Sequence, residues 1–293
     1  MRVAVTGAGG LLGLTLVPLW RRAGADVIPW RRADLDVTDR DAVRRSVVDA
    51  RPDVVVHLAA YTDVDRAEAE AHAAMRVNGE GTANVCAVAA AFGARVLYLS
   101  TDYVFAGVTP EPIAPEAAPA PLGAYGRSKV AGERAVSALG PQGVVVRTGW
   151  MYGPGGENFV DMMRRGATER RPVTVVADQN GAPTSTRLVA EATWGLCRAG
   201  VAGLWHVMAA GPVTWFEVAR AAYEDIGAPP DLVSAGTSTA LGRPARRPAH
   251  SLLDCRATEA RLGIPMPAWR DGVRAYLHSG AMPGIGLIGD GGA

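Results

Sequence analysis

Five short Val-rich runs, spaced by Ala- and Arg-rich segments of helical length, limit the architectures open to this chain. The runs are Arg2–Thr6, Ala25–Trp30, Asp53–Leu58, Ala94–Ser100 and Gly143–Thr148. Each is short, β-branched and apolar at successive positions, the pattern of a strand buried on both faces of a parallel sheet. Between them lie helix candidates near Leu11–Ala23, Asp39–Ala50, Ala71–Phe92 and Tyr125–Leu139. Strand, helix and strand repeated in this way predict an α/β fold with a doubly wound parallel sheet and right-handed crossovers.

Ligands bind such sheets beyond the carboxyl ends of the strands. The turn Gly7–Gly13, then Ala59, Ala60 and Tyr61, then Ser100 and Thr101, and the loop after Arg147 all fall at such ends. They are expected to converge on one crevice. Residues 1–150 therefore read as a Rossmann-type dinucleotide-binding domain. After Gly149 the rhythm breaks, with more Pro, Gly, Trp and Arg and isolated strand candidates at Val173–Val176 and Leu204–Met208. Residues 151–279 are expected to form a smaller substrate-binding lobe, the chain returning to the sheet near 186–212. Two segments lack periodicity: 108–121, which holds five prolines and reads as an exposed loop or lid, and 280–293, which reads as a flexible Gly-rich tail.

The chemistry-bearing residues follow the same order. Gly7, Gly10 and Gly13 form G-x-x-G-x-x-G at the first strand-to-helix turn, where a backbone without side chains can approach a pyrophosphate. Gly7, Gly10, Leu11, Leu12 and Gly13 are the expected cofactor contacts of this turn. After the second strand, Arg31 and Arg32 stand where an NAD-selective site usually carries an acid. A guanidinium there suits the 2′-phosphate of NADPH, and NADH stays open as a second cofactor. Asp36 and Val37 are placed for the adenine edge. Tyr125 and Lys129 are four residues apart and share one helical face. A phenol with a pKa near 10 is a slow proton donor at neutral pH, and a neighbouring ammonium would lower that pKa. Thr101 can hold a carbonyl oxygen as charge develops on it. A phosphate-cradling turn, a hydroxyl and a Tyr/Lys pair together describe a nicotinamide-dependent carbonyl reductase.

Bulk properties narrow the alternatives. A net charge of +1 offers no electrostatic case for nucleic acid or an anionic membrane as partner. No apolar run reaches membrane-spanning length, and the opening strand leaves no room for a leader, so a cytoplasmic protein is expected. Cys86, Cys197 and Cys255 are scattered without C-x-x-C, and the His residues form no metal-binding spacing, so no metal is expected.

The chain resembles the extended short-chain dehydrogenases/reductases, and within them the dTDP-4-dehydrorhamnose reductase family. The resemblance extends to about residue 279. It rests on Thr6–Gly13, Ala59–Glu68, Ser100–Phe105, Tyr125–Lys129 and Arg147–Tyr152, continuing through Asp178–Thr184 and Arg243–Pro248. It implies reduction, by NAD(P)H, of the C4 ketone of a nucleotide-linked 4-keto-6-deoxy sugar. Tyr125 would then be the proton donor, Lys129 its modulator and Thr101 the hydroxyl on the oxygen. Ala59, Ala60, Tyr61, Asn78 and Ser100 would join the cofactor set. Asp102, Tyr103 and Trp150 would meet the sugar, and Asn158, Phe159 and Gln179 the nucleotide. Arg246 and Arg247 would face the diphosphate.

One departure bears on assembly. Some members dimerise through a magnesium ion held by glutamates, and the aligned positions here are Thr15, Arg187 and Ser279. A hard cation prefers carboxylates, so a monomer or a dimer without a metal bridge is expected. Two other functions stay open: a non-catalytic sugar-nucleotide or dinucleotide-binding regulator, and an epimerase or dehydratase on a related sugar nucleotide. The Tyr/Lys/Thr set argues against the first, and Tyr103 in place of a dehydratase glutamate argues against a dehydratase.

Overall fold

Val3 and Val5 pack into one hydrophobic core and Ala4 into another, so the first strand is buried on both faces. The same alternation holds for Val54 and Val56 against Val55, and for Val144 and Val146 against Val145. The computed structural model describes residues 1–280, 282 and 284–289. Its first half runs β1 (Arg2–Thr6), α1 (Leu11–Arg22), β2 (Asp26–Trp30), α2 (Arg40–Ala50), β3 (Val54–His57), α3 (Arg66–Ala69), α4 (Ala71–Met75), α5 (Thr82–Ala91), β4 (Arg95–Thr101), α6 (Ala124–Ser137) and β5 (Gly143–Thr148). The second half adds β6 (Met151–Tyr152), α7 (Phe159–Thr168), β7 (Val173–Val176), β8 (Asn180–Gly181), β9 (Thr184–Ser185) and α8 (Thr186–Arg198). It ends with β10 (Gly203–His206), β11 (Val213–Thr214), α9 (Trp215–Ile226), β12 (Val233–Gly236), α10 (Ser238–Leu241), α11 (Arg256–Leu262) and α12 (Trp269–Ser279).

Six strands form one parallel sheet in the order β10-β5-β4-β3-β1-β2. Helices α1 and α8 cover one face, where Trp20 Nε1 donates to the Ala190 carbonyl at 2.9 Å. Helices α2 and α5 cover the other. The chain order reverses between β1 and β3, so the crevice opens there, as expected for a doubly wound sheet. The chain leaves the sheet after β5 and returns through α8 and β10. Helices α7, α9 and α12 with β7 and β12 enclose a separate apolar core around Tyr152, Met163, Tyr223 and Val273. No helix among the described residues is long and apolar enough to cross a membrane.

Three local expectations differ from the fold. The segment Ala71–Phe92 is not one continuous helix, because a π-helical turn spans Arg76–Gly81. The extra residue swings buried Asn78 toward the crevice, the kind of place where π-turns recur. The segment 108–121 is exposed over most of its length, as expected, but is anchored at Ile113 and Pro115. Ile113 N donates to the Leu252 carbonyl at 2.8 Å, and Arg147 Nη1 donates to the Pro115 carbonyl at 2.9 Å. Nor does the Gly-rich tail stand free where it is described. Ile285 and Ile288 are buried in the core beside α1 and α8, and Ile285 N donates to Glu191 at 2.7 Å. Burying two isoleucines and satisfying a buried carboxylate outweighs the flexibility of the glycines between them. Residues 281, 283 and 290–293 of that tail lie outside the described residues.

Candidate active site

Gly7 takes φ +66°, and a Cβ there would lie 2.5 Å from Ala59 N. The ends of β1 and β3 thus meet so closely that only glycine fits, leaving an uncovered backbone cradle. Gly10 N donates to the Gly7 carbonyl at 2.9 Å, and Gly10 in extended conformation starts α1. A Cβ at Gly13 would sit 2.6 Å from the Ala8 carbonyl oxygen, so the helix lies directly against the turn. Leu12 is buried in the core, which leaves its main chain to face the cradle, while Leu11 is half-buried. The first N–H groups of a helix lack intrahelical partners, and here they face a concave, side-chain-free turn that fits a pyrophosphate.

The flanks of the cradle are built from the other predicted residues. Arg31 and Arg32 are exposed beyond β2, and the stem of Arg31 lies along the turn, its Cγ 3.5 Å from where a Gly9 Cβ would stand. Asp36 is held below the usual carboxylate range, first by the Thr38 N–H (2.9 Å) and then by the Thr38 hydroxyl (2.8 Å). Val37 is buried under the π-turn, where a Cβ at Gly81 would touch it at 2.8 Å. Beyond β3, Ala59 N donates to Thr6 Oγ1 at 3.2 Å. Ala60 beside it is half-buried. Asn78 accepts from Tyr61 N at 2.8 Å and donates to the Tyr61 carbonyl at 3.0 Å and to Ser128 Oγ at 2.9 Å. One amide therefore ties the β3 loop to α6. The Tyr61 hydroxyl points to Glu70 at 2.9 Å.

Helix α6 carries Tyr125 and Lys129 to the end of β4. Gly126 lets it approach, since a Cβ there would sit 2.3 Å from the Tyr103 carbonyl oxygen. Thr101 Oγ1 donates to Asp102 Oδ1 at 3.0 Å and accepts from Tyr103 N at 3.1 Å, with the Tyr125 phenol beside it. The rings of Tyr103 and Tyr125 meet edge to face at 6.0 Å. Burial, and then the Asp102 carboxylate, push the Tyr125 phenol well above its ordinary value. Asp102 is itself pushed up to about 6, mainly by burial, and its Oδ2 is buried without a partner. Lys129 Nζ donates to the Leu99 carbonyl at 2.7 Å and sits 4.0 Å above the Tyr98 ring. Burial pulls Lys129 down to about 7, against the opposing pull of Glu133.

Burial is the largest influence on the Tyr125 phenol and raises it, opposite in direction to the lowering a neighbouring ammonium exerts. Tyr125 is accordingly protonated throughout the neutral range and a weaker acid than a free phenol.

Other predicted residues are occupied elsewhere. Ser100 is buried with its hydroxyl donated to Glu133 at 2.5 Å. Asn158 is buried at the N-cap of α7, accepting from Asp161 N at 3.0 Å and donating to the Gly153 carbonyl at 3.0 Å. Gln179 donates to Ser238 Oγ at 2.8 Å. Arg247 is not a free anion clamp, because it makes a bidentate pair with Asp65 (3.0 and 2.9 Å) and donates to the Ala245 carbonyl at 2.8 Å. A charge-matched carboxylate is a stronger partner than the solvent a free guanidinium would keep. Arg246 stays exposed, its backbone carbonyl near Gly123. Trp150 follows Gly149, whose Cβ would strike the Asp102 carboxyl at 2.6 Å, so its backbone starts beside Asp102. Phe159 packs 4.5 Å from the Trp215 ring.

Sequence reasoning missed Glu133, Ser128, Ser251 and Trp215. Glu133 had a local signal, lying one further helical turn along the Tyr125/Lys129 stripe. Ser251, whose hydroxyl donates to the Asn180 carbonyl, and Trp215 had none.

At the aligned magnesium positions, Thr15 Oγ1 bonds Thr186 Oγ1 at 2.8 Å and Arg187 pairs with Glu191 at 2.8 Å.

The chain is 44% identical over 275 residues to dTDP-4-dehydrorhamnose reductase of Streptomyces griseus, covering 92% of this chain and 90% of that one. It is 42% identical over 269 residues to dTDP-4-keto-6-deoxy-D-glucose reductase of Streptomyces niveus, covering 92% and 93%. The crystal structure of dTDP-4-dehydrorhamnose reductase from Bacillus anthracis in complex with NADP superposes with a TM-score of 0.90 at 35% identity, covering 94% and 98%. The family profile described as RmlD substrate binding domain matches residues 1–282, and the chain belongs to that family.

Proposed function

We propose that this protein is an NADPH-dependent reductase of the C4 ketone of a dTDP-linked 4-keto-6-deoxy sugar. The observation that carries the reading is the placing of Tyr125 beside Thr101 at the end of β4, with Lys129 one helical turn on and bonded to the Leu99 carbonyl of the same strand. The names of its relatives and the NADP in the Bacillus anthracis structure support it.

The cradle of Gly7, Gly10 and Gly13 would hold the pyrophosphate, and Arg31 and Arg32 the 2′-phosphate. Bound NADPH supplies the hydride that reduces C4. Tyr125 donates the proton that the new alkoxide takes up, which suits reduction because its phenol is held protonated. Thr101 hydrogen-bonds the same oxygen and orients it toward Tyr125. Lys129 holds its ammonium against the Leu99 carbonyl, within reach of the crevice, and favours the phenolate once the proton has left. Asp102 and Trp150 line the sugar side.

The test is loss of NADPH absorbance with dTDP-4-keto-6-deoxyglucose, with and without a 3,5-epimerase. Oxidation only with the epimerase assigns a rhamnose-type step. Oxidation without it assigns reduction of the D-sugar. No oxidation in either arm, with NADPH still bound, would overturn the substrate assignment.

A further inference from the structure

Trp150 is a bulky residue at φ +51°, in the left-handed region that favours glycine. Its indole lies parallel to that of Trp215, with ring centroids 3.6 Å apart and planes within 7°. Aromatic pairs prefer offset or edge-to-face contact over such close face-to-face overlap. Both the backbone and the stacking are therefore held by their surroundings.

Gly149 must run against the Asp102 carboxyl, which sets where residue 150 begins. The Trp150 carbonyl accepts from Thr184 N at 3.1 Å. A Cβ at Gly181 would lie 2.6 Å from the Trp150 ring, so β8 also limits the indole. Trp215 opens α9, where Thr214 and Glu217 form a capping box that fixes its backbone. Phe159, the first residue of α7, leans on the Trp215 ring at 4.5 Å. Trp215 is thus a fixed platform, anchored in the second lobe, beneath an aromatic side chain that belongs to the first.

We propose that Trp215 is a positioning residue for the sugar subsite, holding Trp150 in the one orientation that faces the ligand beside Asp102. The inference rests on the reading of this crevice as a sugar-nucleotide site. It makes sugar recognition depend on a residue outside every motif of the catalytic half, and it couples the second lobe to the reacting centre through one stack.

The experiment measures binding of dTDP and of dTDP-glucose to wild-type, Trp215→Ala and Trp215→Phe proteins, with near-ultraviolet circular dichroism of each. The expected result is that Trp215→Ala keeps its dTDP and NADPH affinity but loses the extra affinity that the glucose moiety confers, by up to about tenfold. Trp215→Phe should restore most of it. The coupled tryptophan signal should vanish in Trp215→Ala and respond to dTDP-glucose in the wild type. An unchanged dTDP-glucose to dTDP affinity ratio in Trp215→Ala would overturn the inference while leaving the functional reading intact. Equal weakening of dTDP, dTDP-glucose and NADPH would also overturn it, since that is a general packing defect. A wild type that binds neither dTDP nor dTDP-glucose would instead remove the functional reading, and this inference with it.

Discussion

Glu133 and Arg147 form a bidentate ion pair inside the protein, with Nε to Oε1 at 2.8 Å and Nη2 to Oε2 at 2.7 Å. The Arg147 side chain is 1% exposed and that of Glu133 6%, so neither charge has water to fall back on. Ser100 and the Pro115 carbonyl complete the shell. The pair joins α6, which carries Tyr125 and Lys129, to β5 and to the proline-rich segment. Removing one partner strands the other as a buried charge. We expect Glu133→Ala to lose about 3–5 kcal/mol of stability, read as a lowered urea midpoint. A change within about 0.5 kcal/mol, the scale of an ordinary surface substitution, would show that the pair does not anchor the helix.

Tyr125→Phe removes the proton donor while keeping the ring that packs beside Tyr103. We expect turnover to fall by about 10²–10⁴-fold, with NADPH affinity nearly unchanged, because the lost interaction matters in the transition state. Steady-state kinetics and NADPH fluorescence titration check this together. Wild-type turnover would remove Tyr125 as the acid.

Arg31 and Arg32 lie over the end of β2 with their head groups in solvent. Replacing both with Ala is expected to raise KM for NADPH by at least about tenfold, one lost charge-assisted contact being worth about 1.5–3 kcal/mol, and to leave KM for NADH within about twofold. Equal effects on the two cofactors would show that neither guanidinium meets a 2′-phosphate.

The pH dependence follows from two displaced groups. Lys129, at about 7, is an ammonium below that pH and neutral above it. Asp102, at about 6, is a carboxylate above that pH, and its charge makes the Tyr125 phenol a weaker acid. As pH falls from about 8 to about 6 the ammonium fills and the carboxylate begins to discharge, and both changes favour proton donation from Tyr125. Protonating Asp102 also frees the Thr101 hydroxyl, now 3.0 Å from Asp102 Oδ1, to donate elsewhere. Reduction measured as kcat/KM should therefore rise over this interval. Asp102→Asn should flatten the limb near pH 6. A rate that climbs toward alkaline pH would contradict this account.

The parallel sheet was legible because each strand carries its own evidence. Val54–Val56 is apolar at every position, and only burial on both faces accommodates that. Helix α6 was legible through the four-residue spacing of Tyr125 and Lys129, a local property of the backbone. The π-turn at Asn78 was not, because a helical pattern running from Ala71 to Phe92 hides one inserted residue. Arg247 reads in sequence as a cation between prolines, and only the fold brings it to Asp65, 182 positions away.

Alone, the sequence determined the strand–helix alternation, the glycine turn and the order of the Thr, Tyr and Lys along the chain. These depend on backbone preference and on periodicities of a few residues. Tertiary structure decided the rest: the Glu133–Arg147 anchor, the Trp150–Trp215 stack, the desolvation that raises the Tyr125 phenol, and the seating of Ile285 and Ile288 on Glu191 and its neighbours. Burial and charge pairing are set by which surfaces the folded chain brings together, and no local window of sequence contains that information.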